Sequence, residues 1–219
     1  METVIKKQNN YSLGEELCNA ITHGIATLLS IAGLVIAIVI SAIYGNAYSV
    51  VSSCIYGACL IILFLMSTMY HSLTNKKAKN VFRVLDHCSI FLLIAGTYTP
   101  FVLVALNGAL GWTMFGIIWG LAIFAIVFNS ISVEKFKKIN IICCLFMGWL
   151  ALFTIKPLFE SISFNGILLL VLGGVAYSLG VIFYKMKKLK YMHAVWHIFV
   201  MLGSMLHFFS IINYVLPIK

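Results

Sequence analysis

The chain has 219 residues, 62% of them hydrophobic and 10% charged, with a mean hydropathy of +1.05. An average soluble domain is about 45–50% apolar and about 25% charged, and a helix needs about 20 apolar residues to cross a bilayer. The apolar residues suffice for six or seven crossings, which excludes a soluble enzyme, a nucleic-acid-binding domain and a disordered protein. The formal net charge of +9 reads as basic residues gathered in cytoplasmic loops. No basic stretch interleaves with aromatics as a nucleic-acid partner requires.

The N-terminal tail carries Lys6 and Lys7 and stays polar through Asn19. The first apolar stretch then runs 21–43, too long for a signal-peptide core and without a small-residue cleavage site, so it is expected to be retained. Further stretches follow at 48–70, 85–106, 112–131, 139–155, 164–184 and 192–215. Each can span as a helix, the fifth only just. The runs are apolar on every side, which argues against barrel strands. Pro100 is expected to kink the third helix, and Gly116 with Gly120 forms a GxxxG pair that lets helices approach closely or simply packs. Most of Cys18, Cys54, Cys59, Cys88, Cys143 and Cys144 fall in apolar segments, and no pair has Cys-x-x-Cys spacing, so no disulfide framework is expected. The fold class is an all-α integral membrane protein: one domain over residues 1–219, a seven-transmembrane helix bundle.

Orientation follows from the basic residues. Lys6, Lys7, Lys76, Lys77, Lys79, Arg83, Lys135, Lys137, Lys138, Lys185, Lys187, Lys188 and Lys190 fall on one side, against Lys156 and Lys219 on the other. That asymmetry predicts a cytoplasmic N-terminus and an outside C-terminus.

Ionisable residues in spanning segments are costly and mark functional sites. His23, His71, Asp86, His87, His193 and His197 all fall toward the predicted cytoplasmic face, from helices one, two, three and seven. His193 and His197 are spaced i, i+4, stacking both imidazoles on one helix face. They form half of a zinc site, and one more His with a water completes an open tetrahedral centre. The alternative is that they are amphipathic interface residues with one end wet. His71 is the natural third ligand, sharing a face with Ser67. Asp86, the single aspartate, would orient or deprotonate a water, and Ser67 would donate to a developing oxyanion. His87, about 100° around the helix from Asp86, is expected to face loops or headgroups. His207, ten residues beyond His197, reads as a hydrogen-bonded interior or pathway residue. These spacings assign no role to Glu16, Asn19 or His23.

Glu16-Leu17-Cys18-Asn19-Ala20-Ile21-Thr22-His23 resembles the Glu-x-x-Asn-x-x-Thr-His motif of the progestin and adipoQ receptor superfamily. Ser67 through His71 resembles its Ser-x-x-x-His motif, and Leu85-Asp86 with Gly96 and Pro100 resembles the start of its third helix. His193-Ala194-Val195-Trp196-His197, running on to His207-Phe208, is similar to its last-helix motif. Length and the lack of extra domains match the bacterial hemolysin III branch. The resemblance implies seven helices with a cytoplasmic N-terminus, reversed relative to G-protein-coupled receptors. It also implies a zinc ion held by His71, His193 and His197 beside Asp86 and Ser67. Relatives in the superfamily are associated with ceramide hydrolysis, and the bacterial branch with haemolysis and membrane-fluidity homeostasis.

Three functions are in contention. The first is a zinc-dependent hydrolase of a lipid amide or ester, ceramidase-like, in the cell membrane, with membrane lipids as partners and Asp86 and Ser67 as catalytic residues. The second is a non-catalytic homeostasis factor or sensor with zinc as a structural clamp. The third is a pore-forming cytolysin, which the few polar residues in the helices disfavour.

Overall fold

A computed structural model describes residues 11–217 except Lys187. Lys6, Lys7, Lys187 and Lys219 from the charge asymmetry lie outside the described residues. The described chain is all-helical: α1 (Leu13–Tyr44), α2 (Ala47–Ser72), α3 (Lys76–Pro100), a π-helical turn (Phe101–Leu106), α4 (Gly108–Ile131), α5 (Val133–Trp149), a 3-10 turn (Leu150–Thr154), α6 (Ile155–Ser161), α7 (Phe164–Lys185) and α8 (Met192–Tyr214). Counting each interrupted helix as one span gives seven helices long and apolar enough to cross a membrane. Helices are the expected form, because a segment in hydrocarbon must satisfy its own backbone groups.

Local chemistry sets where the helices start. Ser12 caps α1 in a capping box, its hydroxyl accepting from the Glu15 backbone while the Glu15 carboxylate accepts from the Ser12 N–H. The helix therefore begins eight residues before the apolar stretch, and the polar run 15–19 is its first turns rather than a tail. Asn75 caps α3 through the backbone N–H groups of Lys77 and Ala78, which makes the basic loop segment helical as well.

Two interruptions have proline causes. Pro100 ends the regular part of α3, and the chain continues as a π turn closed by Asn107 N–H donating to the Val102 carbonyl at 3.1 Å. The fifth span breaks into α5, a 3-10 turn and α6, so its length is greater than the 139–155 stretch and it is not one helix. Pro157 lacks the N–H that an unbroken helix would need there, and the break seats it in the first turn of α6, where that donor is not required.

The helices close a ring: α1 on α2, α2 on α3, α3 on α4, α4 on α5, α5 on α7, α7 on α8, and α8 back on α1. Within it α3 is the central element. Its most apolar stretch is 78% buried, against 28% for α4, α5 and α7, whose other faces form the apolar belt a bilayer covers. A close glycine contact joins α2 and α3, where a Cβ on Gly96 would fall 2.6 Å from the Cβ of Cys59. Gly116 and Gly120, by contrast, face open space, so the GxxxG pair brings no helices together within the chain. The six cysteines are free thiols. This is a multi-pass membrane protein.

Candidate metal centre

One ligand atom each from His71, His193 and His197 lies within 4.8 Å of the other two. His71 comes from the last turn of α2, and His193 and His197 from successive turns of α8. The rings of His193 and His197 are 4.7 Å apart between centroids, and each is 5.2 Å from the ring of His71. His71 and His197 are buried, and His193 is half-buried. The arrangement can hold a metal ion.

The first turns of α1 orient these rings. Nδ1 of His71 donates to Oε2 of Glu16 at 2.7 Å, and Oε1 of Glu16 accepts from Nζ of Lys79 at 2.7 Å. Nδ1 of His197 is 3.2 Å from the Asn19 backbone carbonyl and 3.3 Å from the Thr22 hydroxyl. Because Thr22 spends its own proton on the Cys18 carbonyl, both groups accept from His197. Hydrogen bonds of this kind fix the tautomer with the proton on Nδ1 and leave Nε2 as the ligating atom. Nε2 of His71 is buried with no hydrogen-bond partner among the described residues, and burying such an atom unsatisfied is costly. A borderline divalent ion would satisfy it. Three imidazoles with a coordination position to spare suit zinc chemically.

His23 stacks flat on His197, ring centroids 3.6 Å apart and 9° from parallel, and meets the edge of Phe64 on its other side. Tyr11 covers the cluster from outside, its ring 5.2 Å from that of His193 and 5.9 Å from that of His71.

An elongated cavity of about 190 Å³ begins at this cluster. His23, Ser67, Asp86, His193 and His197 line that end. The Ser67 hydroxyl hydrogen-bonds the Asp86 carboxylate, which is largely sheltered. The structure corrects the expectation for His87: it lines the cavity rather than facing loops or headgroups. Its Nδ1 donates to the Arg83 carbonyl at 2.8 Å, which pins the ring one helical turn back and 3.7 Å from Asp86 Oδ2. Away from the cluster the walls turn apolar, with residues of α3, α5, α7 and α8. There His207 is interior and donates from Nε2 to the Leu170 carbonyl at 3.0 Å.

A family profile described as "Haemolysin-III related" matches residues 11–208, which include every residue of this site. The chain belongs to the haemolysin-III family. It is 48% identical to "Hemolysin-3" of Bacillus cereus over 203 residues, 93% of each protein. It is 47% identical over 204 residues to "Hemolysin-3 homolog" of Bacillus subtilis, covering 93% of this chain and 96% of the relative. At greater distance it is 27% identical over 206 residues to human "Monocyte to macrophage differentiation factor", 91% of this chain and 84% of that one. This breadth is consistent with the hemolysin III branch of the progestin and adipoQ receptor superfamily.

Sequence spacing alone passes over the α1 residues that brace the imidazoles. Glu16, Asn19, Thr22 and His23 recur at i, i+3, i+6 and i+7, a polar stripe along a helix otherwise apolar, and that periodicity is the signal that locates them. Tyr11 carries no comparable signal, because it lies before the helix that aims it.

Proposed function

We propose that this haemolysin-III family protein is a zinc-dependent hydrolase of a lipid amide or ester bond, working at the cytoplasmic face of the cell membrane. One observation carries the reading: His193 and His197, which meet His71 in one cluster, line the end of a largely apolar cavity, with Asp86 and Ser67 on the wall beside them. A purely structural clamp has no need of an adjoining chain-sized cavity or of a sheltered carboxylate.

His71, His193 and His197 would hold the ion, and when bound it supplies a Lewis acid that polarises a carbonyl and makes water a nucleophile at neutral pH. The remaining work falls to the chain itself. Glu16, Asn19 and Thr22 keep the imidazoles in the tautomer that ligation needs. Asp86 is the proton acceptor, held in place by the Ser67 hydroxyl. When Asp86 takes up a proton, that hydroxyl is free to turn to the oxyanion forming on the substrate carbonyl. The apolar walls take the acyl chain and keep bulk water from the reacting bond. α5 packs on α7 more sparsely than the other neighbouring helices of the ring pack on each other, which makes that seam the route by which a chain would enter from the bilayer.

The cytoplasmic orientation rests on Lys76, Lys77, Lys79, Arg83, Lys135, Lys137, Lys138, Lys185, Lys188 and Lys190, which lie at the helix ends beside the cluster. Lys156, on α6, lies at the far end.

Elemental analysis of detergent-purified protein tests the proposal, run beside a His71/His193/His197 triple alanine variant and paired with turnover of acyl-amide and acyl-ester lipids. Near-stoichiometric zinc and lipid cleavage in the wild type, both absent from the variant, is the expected result. Zinc without cleavage of either lipid class overturns the hydrolase reading and leaves the clamp.

A further inference from the structure

At its polar end the cavity has a wall that the hydrolytic chemistry leaves unused. On α5, Lys137, Asn140, Ile141, Cys144, Leu145 and Gly148 line the cavity, one helix face recurring at i, i+3, i+4, i+7, i+8 and i+11. The first turn of that face is polar and the rest is apolar. Nζ of Lys137 lies 5.5 Å from the ring centre of Tyr184 on α7, and the Tyr184 ring is 6.0 Å from that of His193. All three residues line the cavity, so a single aromatic ring separates the ammonium from the imidazole cluster. Its charge also reaches His87 on α3. Asn140, one turn on from Lys137, is oriented from behind: its Nδ2 donates to Oδ1 of Asn129 at 2.6 Å, and the wholly buried Asn129 donates in turn to the Cys88 sulfur at 3.7 Å. The Asn140 amide nitrogen carries a second hydrogen that this bond does not use. The Asp86 carboxylate is bonded instead to Ser67 on α2.

We infer that Lys137 and Asn140 form a head-group subsite for an anion, so that the lipid carries a carboxylate or phosphate on the side of its amide or ester opposite the acyl chain. Placement gives the direction. With the scissile bond at the imidazoles and Asp86, and the acyl chain along the apolar walls, the rest of the molecule stays at the polar end, against the first turn of α5. Charge gives the class. In a sheltered site an ammonium attracts an anion strongly, repels a cationic head and gains little from a neutral one. A carboxylate or phosphate oxygen can accept from both the ammonium and the Asn140 amide. This inference rests on the proposed function in placing the scissile bond, while the subsite binds its anion whether or not that bond is cut.

Competitive displacement of a fluorescent fatty acid from the full-length, zinc-supplied protein in neutral detergent tests it. The ligands are three amides with one acyl chain: N-hexadecanoylglycine, N-hexadecanoylethanolamine phosphate and the neutral N-hexadecanoylethanolamine. One anionic amide at least is expected to bind roughly tenfold tighter than the neutral one, as for a charge-assisted hydrogen bond in a sheltered site. Which of the two does so separates a carboxylate from a phosphate. Lys137→Met brings that ligand to parity with the neutral amide at unchanged zinc content, and Lys137→Arg keeps the preference. Lys138→Met, at an exposed residue off the cavity wall, also keeps it. Equal affinities for all three in the wild type overturn the subsite and leave the hydrolase reading standing. A preference that survives Lys137→Met overturns it too, because the metal then holds the anion, as does one lost equally in Lys138→Met, which general surface charge explains. Failure of all three to bind overturns it as well. A preference that Lys137→Met abolishes, in a protein that cleaves none of the three, upholds the subsite and counts against hydrolysis alone.

Discussion

At the basic end of the cavity three imidazoles converge, and α1 supplies a hydrogen-bond acceptor to Nδ1 of both His71 and His197. At the deep end a single imidazole, His207, is held by a backbone carbonyl, the shape of Gly173 and the neighbouring Tyr177 ring. The contrast shows two ways of fixing a polar ring in an apolar bundle. Where several imidazoles point at one spot, their outer nitrogens are tied by a shell of side chains and carbonyls, which suits a centre that must hold a cation in strict geometry. Where one imidazole stands by itself among helices, a single backbone carbonyl and steric packing fix its orientation.

The largest effect is expected at the polar end. Asp86→Asn keeps the imidazoles and removes the base, so zinc content stays at the wild-type level while lipid turnover falls by about 10²–10⁴-fold. Metal analysis and turnover on one preparation check this. A clamp instead predicts zinc and cellular phenotype both unchanged.

Next comes the shell. Glu16→Gln replaces the carboxylate that accepts from His71 and releases Lys79, and is expected to weaken zinc retention about 10–100-fold in chelator competition. His207→Phe, which touches no shell residue, should leave zinc retention unchanged. Equal effects from the two substitutions would erase the distinction between the ends.

Gly173→Ala probes the steric brace directly. The added methyl displaces His207 or pushes α7 from α8, and overpacking of this kind costs about 1–3 kcal/mol. A lowered thermal midpoint in detergent, with zinc content intact, is the expected outcome. Smallest of all is Gly116→Ala, where nothing lies within 4 Å of the added carbon. Its thermal midpoint should match the wild type, and a marked loss would show that this face packs on something outside the chain.

Much of the site was legible because its residues are conspicuous in an apolar chain. His193 and His197 announce a shared face by their spacing, and Asp86 stands out as the single aspartate. The bracing residues were harder to read. The Glu16–Asn19 segment looks like a polar tail until the Ser12 capping box is recognised as extending α1 through it. His87 was misplaced because angular position on a helix does not say how wide a cavity that helix borders. The GxxxG pair at Gly116 and Gly120 left two readings open in the sequence, and the structure draws no helices together there, since small residues permit close approach without compelling it.

Membrane insertion and the number of spans were determined by the sequence alone, because transfer into hydrocarbon is close to a sum over the residues of each segment. Convergence was decided only by the tertiary structure. Whether His71 on α2 meets His197 on α8 depends on how the ring of helices closes through α1 and on which way each ring turns. Those angles follow from packing among residues far apart in the chain, and no local pattern contains them.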